Sequence, residues 1–310
     1  METPVSLDDG EEVAERLGVR LTSPDRVVFP EQGITKAQLV AYYEDVASVM
    51  LPHIENRPLS LVRCPQGPTR HCFFQRHDTG GFPPQMLSRT IAEKDGDKQD
   101  YFYITELAGL IAGTQMNALE WHIWGSRFPD IEKPDRLVFD IDPDEGLDFS
   151  AITSAATDIR DRLEALDLKS YPLVSGGKGI HVVVPLKPDR EWPDAKAFCR
   201  AFVQNMAEDE PDRFTANLSK AQRKGRVFLD YLRNERGSTA ICPWSVRSRQ
   251  GAPVAVPVSW DEVPKLKQAN GFSLKAAAAR AKDKDVWADY FKQRQVLTAK
   301  LLKAVGAEET

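Results

Sequence analysis

Three aspartates sit in stretches where a carboxylate is expensive. Asp140 and Asp142 lie in Leu137-Val138-Phe139-Asp140-Ile141-Asp142-Pro143, and Asp230 lies in Val227-Phe228-Leu229-Asp230-Tyr231. The surrounding residues are those of buried strands. Period-two alternation turns Asp140 and Asp142 to the same face. Adjacent like charges repel unless a cation lies between them, and a buried acid needs a partner or a metal. Three such acids are therefore candidate ligands for divalent cations; solvated acids at a strand end are the plainer alternative.

A second group of residues has the chemistry to hold phosphate. Ser175-Gly176-Gly177-Lys178-Gly179-Ile180-His181 reads as a glycine-rich turn between strands, with Ser175 and His181 flanking it and Lys178 inside it. Its backbone N–H groups can approach an anion closely. No Gly-Lys-Ser/Thr opens a helix here, so it is not a P-loop. Pro243-Trp244-Ser245-Val246-Arg247-Ser248-Arg249 reads as a strand with Arg247 and Arg249 on one face, a pair suited to triphosphate oxygens. Thr35-Lys36-Ala37-Gln38 is a capping box that places Lys36 in a first helical turn, where free N–H groups favour anions. With Arg26 it forms a candidate phosphate pocket, the alternative being a solvated lysine. His71-Cys72-Phe73-Phe74-Gln75-Arg76-His77 interleaves aromatics with bases, a pattern suited to stacking on nucleobases beside phosphates, although core packing also accommodates a Phe pair.

The elements that must position these residues follow from periodicity. Residues 1–20 lack a core pattern and read as an arm or linker remnant. A helix follows Thr35, and Leu59 to Arg63 is a strand. Ser88–Glu93 and Asp100–Glu106 form a hairpin, and Leu107 to Leu119 has helical spacing before a strand at Trp121–Trp124. His122, in that strand, reads first as a structural histidine. Ile152 to Leu166 and Phe198 to Met206 trace amphipathic helices. Trp287 to Leu301 reads as a closing helix, with 301–310 a frayed tail. An N-terminal lobe at about 21–120 and a catalytic lobe at about 121–300 are expected.

The 310 residues carry a net charge of −5, so a nucleic-acid partner must be met by a local basic patch. Four cysteines without a C-x-x-C pair indicate neither a zinc site nor a disulfide framework, which suits a reducing compartment. No apolar run is long enough to cross a bilayer, and a cytoplasmic, nucleoid-associated protein is expected.

Four motifs in chain order, Leu137 to Pro143, Ser175 to His181, Phe228-Leu229-Asp230-Tyr231-Leu232-Arg233-Asn234 and Pro243 to Arg249, resemble the polymerase domain of bacterial ATP-dependent DNA ligase D, a member of the archaeo-eukaryotic primase superfamily serving non-homologous end joining. The resemblance spans roughly residues 20–295. It implies an α/β (α+β) fold, with an RRM-like primase-type palm sheet beside a smaller N-terminal lobe. It implies that Asp140, Asp142 and Asp230 hold two manganese or magnesium ions. Ser175, His181, Arg247 and Arg249 would grip the triphosphate of an incoming NTP or dNTP, with Lys178 and Arg233 close by. Phe73 and Phe74 would stack on template or primer bases near Arg63 and Arg76. His122 would border the pocket, and Arg26 and Lys36 would recognise a 5′-phosphate at a gap or end. The implied function is template-directed gap filling and end extension by two-metal catalysis, with ribonucleotides preferred. Fusion to ligase and nuclease domains and a Ku-type end-binding partner are further implications. A metal-dependent nuclease and a non-catalytic DNA-end-binding module are the rival classes. The nuclease would not need the glycine-rich turn and twin arginines, and the binding module would not need the acids.

Overall fold

The computed structural model describes residues 5–6, 12–68, 70–283 and 285–308. The chain forms two compact units. Unit 1 collects residues 1–123, 241–254 and 272–284, and unit 2 collects 124–240, 255–271 and 285–310. The stretches 241–254 and 272–284, which a contiguous division assigns to the catalytic lobe, thus pack in unit 1.

Unit 1 begins with β1 (Val5–Ser6), β2 (Glu12–Arg16) and β3 (Val19–Thr22) in one antiparallel sheet. Leu17 and Gly18 turn β2 into β3 with φ of 48° and 75°, and Val19 and Leu21 are buried. The expected arm or linker remnant is therefore paired in a sheet from residue 12 onward, while residues 1–4 and 7–11 lie outside the described residues. The short pair β4 (Val27–Phe29) and β5 (Ile34–Thr35) leads into α1 (Lys36–Ile54). The capping box forms as read: Thr35 Oγ accepts from Gln38 N, and Gln38 Oε1 accepts from Thr35 N. Leu39, Tyr43, Val46 and Met50 form the buried stripe of α1.

The main sheet of unit 1 uses β6 (Leu59–Arg63), β7 (Phe73–Gln75), β8 (Leu87–Ala92), β9 (Lys98–Tyr103) and β10 (Ala118–Trp124). β6 lies between β10 and β9, and β7 also pairs with β6. The helix α2 (Leu107–Gln115) stops before the expected Leu119, because Asn117 adopts φ 64° and turns the chain into β10. Cys64 and Cys72, where the sequence indicated no disulfide framework, form a disulfide that closes the β6–β7 loop, while Cys199 and Cys242 are buried and outside any disulfide. A sequence separation of eight concealed this pairing, since antiparallel strands alone bring the two residues together.

Unit 2 is built on β11 (Arg136–Pro143), α3 (Phe149–Glu164), β12 (Tyr171–Val174), β13 (Ile180–Pro185), α4 (Trp192–Asp209), β14 (Phe214–Thr215) and β15 (Val227–Asp230). β16 (Thr239–Ile241) lies where the chain leaves the unit, and β17 (Val256–Pro257) returns to it. The sheet order is β14-β15-β11-β13-β12-β17. Its centre, β15-β11-β13-β12 with α3 and α4 as crossovers, is the βαββαβ arrangement expected of an RRM-like palm. Phe139 of β11 packs on Phe202 of α4, ring centroids 5.0 Å apart, so β11 turns Leu137, Phe139 and Ile141 toward the helices. Alternation then directs Val138, Asp140 and Asp142 to the opposite face.

Two expected elements are replaced. Residues 243–249 form no strand; only an isolated bridge joins Val246 to Val254, and the prolines, turns and a positive φ at Trp244 break the ladder. Residues 287–301 form no continuous helix. Trp287 stacks on Tyr290, both against Tyr171, and a separate helix at Ala299–Ala304 follows. That helix buries Leu302 and ends with Gly306 at φ 76° and Ala307 N donating to Leu302 O, so 301–308 is capped rather than frayed. Residues 309–310 lie outside the described residues.

Candidate active site

Strand register alone assembles the centre of the site in unit 2. Asp140 stands directly opposite His181 of β13 on one side and Asp230 of β15 on the other. Asp142 follows two residues along the same face. Asp140 is buried, its Oδ1 lying 3.2 Å from His181 Nε2, its Oδ2 accepting from Arg233 Nε at 3.1 Å and lying 3.0 Å from Arg233 Nη2 in an ion pair. Burial by itself would raise its carboxyl. The charges and hydrogen bonds of His181 and Arg233 outweigh that and hold it well below the usual carboxylate range. Asp230 is pushed up, chiefly by burial, although its Oδ1 accepts from Leu232 N at 2.7 Å. Asp142 is pushed up to about 6, first by burial and then by the negative charges of Asp140 and Asp230.

This donor set fits divalent cations in its chemistry. Three carboxylates supply hard oxygen ligands, and Asp142 is raised first by burial and then by the charges of Asp140 and Asp230, which His181 and Arg233 only partly offset. Asp140 is engaged by His181 and Arg233, and among the described residues no group of three or more His, Cys, Asp and Glu side chains is gathered closely enough to hold an ion.

The glycine-rich turn is held from within. Ser175 Oγ donates to Gly179 O at 2.7 Å and accepts from Gly177 N at 3.2 Å, so the hydroxyl assigned to the triphosphate orders the turn. Gly179 packs against β11 so tightly that a Cβ there would stand 1.9 Å from Ile141 O. His181 is buried, and its Nδ1 has no hydrogen-bond partner. Lys178 is exposed. It lines a cavity of about 280 Å³ with Lys267, Phe149 and Ile152, and none of the three aspartates borders this cavity.

Asn234, which ends the Asp230 motif but was given no role in it, completes this centre. The N–H and C=O of Val138 point toward β15, which has already ended at Asp230. The buried Asn234 amide takes over, accepting from Val138 N at 2.7 Å and donating to Val138 O at 2.8 Å.

Unit 1 carries the remaining candidates. Phe73 and Phe74 of β7 are both exposed, by 36% and 44%, although alternation turns them to opposite faces. Arg63 lies over the Phe73 ring and Arg76 over Phe74, at 5.4 and 5.6 Å, and Phe74 meets His122 edge-on at 5.4 Å. His122 Nε2 and Arg247 Nε both reach Glu120 Oε2, at 2.9 and 3.1 Å. Glu120 is a second residue that sequence reading misses; the only signal was an acid two positions from His122 in an apolar strand. Arg249 is exposed. The free N–H groups expected at the start of α1 are already used: Lys36 N donates to Arg26 O, Ala37 N to Pro24 O and Gln38 N to Thr35 Oγ. Lys36 is 3% exposed, and its ammonium donates to Thr22 O and Gln115 Oε1. Arg26 is exposed and donates to Pro65 O and Asn117 Oδ1. The two cations therefore have separate protein partners.

A βαββαβ sheet with aspartates on neighbouring central strands, beside a glycine-rich hairpin, defines a nucleotidyltransferase domain of the primase-polymerase type. The family model of the LigD primase-polymerase domain matches residues 35–287. The chain belongs to that family. The multifunctional non-homologous end joining protein LigD of Pseudomonas aeruginosa is 34% identical over 296 residues, covering 94% of this chain and 35% of the relative. Its counterpart from Mycolicibacterium smegmatis is 37% identical over 247 residues, covering 79% and 32%. The chain thus spans about a third of the length of these relatives. The polymerase domain of Mycobacterium tuberculosis ligase D, solved in complex with DNA, superposes with a TM-score of 0.82 at 32% identity, covering 89% of this chain and 99% of that one. Among the described residues no helix is long and apolar enough to cross a membrane.

Proposed function

We propose that this domain extends DNA 3′ ends and fills gaps by template-directed nucleotidyl transfer at double-strand breaks, within non-homologous end joining. The observation that carries the reading is the register pairing of Asp140 with Asp230 on one side and His181 on the other. Asp140, Asp142 and Asp230 would hold two divalent ions, magnesium or manganese. When bound, these supply charge neutralisation for the triphosphate and a lowered pKa for the primer hydroxyl. His181, with one buried ring nitrogen uncommitted, and the exposed Lys178 supply contacts for the triphosphate; Arg247 and Arg249 are assigned to it by their motif. Arg233 spans Asp140 and Asp230, at 3.0 and 3.8 Å, and restrains both carboxylates.

The exposed Phe73 and Phe74, each under an arginine, provide stacking surfaces for bases. DNA carrying a 5′-phosphate is the proposed substrate at a break. Recognition by Lys36 requires its ammonium to exchange Thr22 O and Gln115 for phosphate, while Arg26 is already exposed. Preference for ribonucleotides, a Ku-type end binder, fused ligase and nuclease domains and association with the nucleoid complete the proposal.

The test is extension of a gapped, 5′-phosphorylated duplex with NTPs or dNTPs, in magnesium and in manganese. Asp140→Ala, Asp142→Ala and Asp230→Ala are each expected to abolish extension in a folded protein. Shortening of the labelled strand instead of lengthening would identify a nuclease, and binding without either would identify an end-binding module.

A further inference from the structure

Glu120 is buried in the strand β10, and four donors converge on its carboxylate. Ser248 N and Ser248 Oγ reach Oε1 at 2.8 and 2.7 Å, while Arg247 Nε and His122 Nε2 reach Oε2 at 3.1 and 2.9 Å. All four residues belong to unit 1. Segment 242–248 is bound to β10 at further points, because Cys242 N donates to Trp121 O and Trp121 N donates to Ser245 Oγ. Nothing in the resemblance or the motif order assigns Glu120 a role.

We infer that Glu120 is the positioning residue for Arg247, fixing the plane of its guanidinium for the triphosphate; this rests on the reading of Arg247 as a triphosphate contact. The Nε edge is the one nearest the arginine's own backbone, so a carboxylate bound there sets the direction in which the fork points. Arg247 sits in a segment without a sheet ladder, where the backbone alone does not define the side-chain direction. Glu120 supplies that direction from a strand. The same Oε2 holds His122, whose ring meets Phe74, so one carboxylate organises an arginine and an aromatic surface together.

The chemistry of the four donors makes the inference testable. Glutamine has the shape of glutamate but only one oxygen, and its NH2 group cannot accept. In Glu120→Gln either the Arg247 Nε–H or the Ser248 N–H must face another N–H. Because the bond to Arg247 is charge-assisted, KM for the nucleotide is expected to rise about tenfold, with kcat little changed. A double-mutant cycle separates positioning from general damage. In an Arg247→Ala background, Glu120→Gln is expected to add little further to KM, whereas an unrelated structural defect would multiply.

Should Glu120→Gln fail to fold, Arg247→Lys decides the matter. It keeps the charge and loses the Nε contact, and KM is expected to rise nearly as far as in Arg247→Ala. Full-chain protein, a primer-template and an NTP with manganese suffice for all variants. A KM near the unmutated value in Glu120→Gln or Arg247→Lys, with KM raised in Arg247→Ala, overturns the positioning role alone. An unchanged KM in Arg247→Ala overturns the triphosphate reading of Arg247, and this inference with it.

Discussion

Asn234→Ala is expected to be the costliest single truncation of a polar side chain in unit 2. The Asn234 amide makes three buried hydrogen bonds: from Val138 N at 2.7 Å, to Val138 O at 2.8 Å and to Tyr231 O at 3.0 Å. Tyr231 O keeps a second donor, the backbone N–H of Asn234, so the truncation orphans two groups: the N–H and C=O of Val138. Each buried group left unsatisfied costs about 1–3 kcal/mol, giving roughly 2–6 kcal/mol for the pair, against about 1 kcal/mol for an ordinary substitution. Asn234→Asp retains the acceptor, loses both donated bonds and buries a charge, so it should be no milder. The local assay is native-state hydrogen exchange at the Val138 amide, which should lose its protection. The global one is urea unfolding of the same variant. Because Val138 precedes Asp140 by two residues on the same face, extension should fall as well. A destabilisation below about 1 kcal/mol with Val138 still protected would refute the reasoning, and would mean that water or a shifted strand replaces the amide at little cost.

In Gly179→Ala the new Cβ meets a backbone oxygen, not a flexible side-chain end. It is expected to cost about 1–3 kcal/mol or more and to cut extension sharply, as checked by denaturation and primer extension together. Glu120 is held far below its ordinary range because, although burial opposes ionisation, His122, Arg247 and Ser248 outweigh it. A carboxyl depressed in the folded state contributes stability that is complete above its unfolded pKa of about 4.3 and is lost as pH falls below it. Urea titrations should therefore show a loss of stability below about pH 4, with a shallower acid limb in Glu120→Gln. Reduction of Cys64–Cys72, or Cys64→Ser, opens a short loop and is expected to destabilise the protein by about 2–3 kcal/mol. Thiol labelling of the native protein should report Cys72 only after reduction, since Cys64, Cys199 and Cys242 are all buried.

The aspartates, the glycine-rich hairpin and the order of the motifs were legible in the sequence for a physical reason. A carboxylate among Val, Phe and Leu is costly wherever the strand lies, and Gly179 is required by any close strand contact. The capping box at Thr35 was equally local, and it formed. Local surroundings differed from the reading where long-range contacts competed with local ones. Lys36 stood at a helix start as read, but Pro24, Arg26 and Thr35 used its donors and Thr22 and Gln115 took its ammonium. The arginines 247 and 249 lie in a turn-rich segment rather than a strand, and the apolar spacing from Trp287 to Leu301 served an aromatic cluster and a separate helix. By itself the sequence determined which residues are candidates for the chemistry and in what order they stand, since composition and spacing are local properties. Only the tertiary structure decided that Asp140 faces both His181 and Asp230, that Asn234 completes the edge of β11, and that Glu120 reaches Arg247 across 127 positions. Register, strand ends and buried hydrogen bonds between distant segments are set by packing, and no local pattern encodes them.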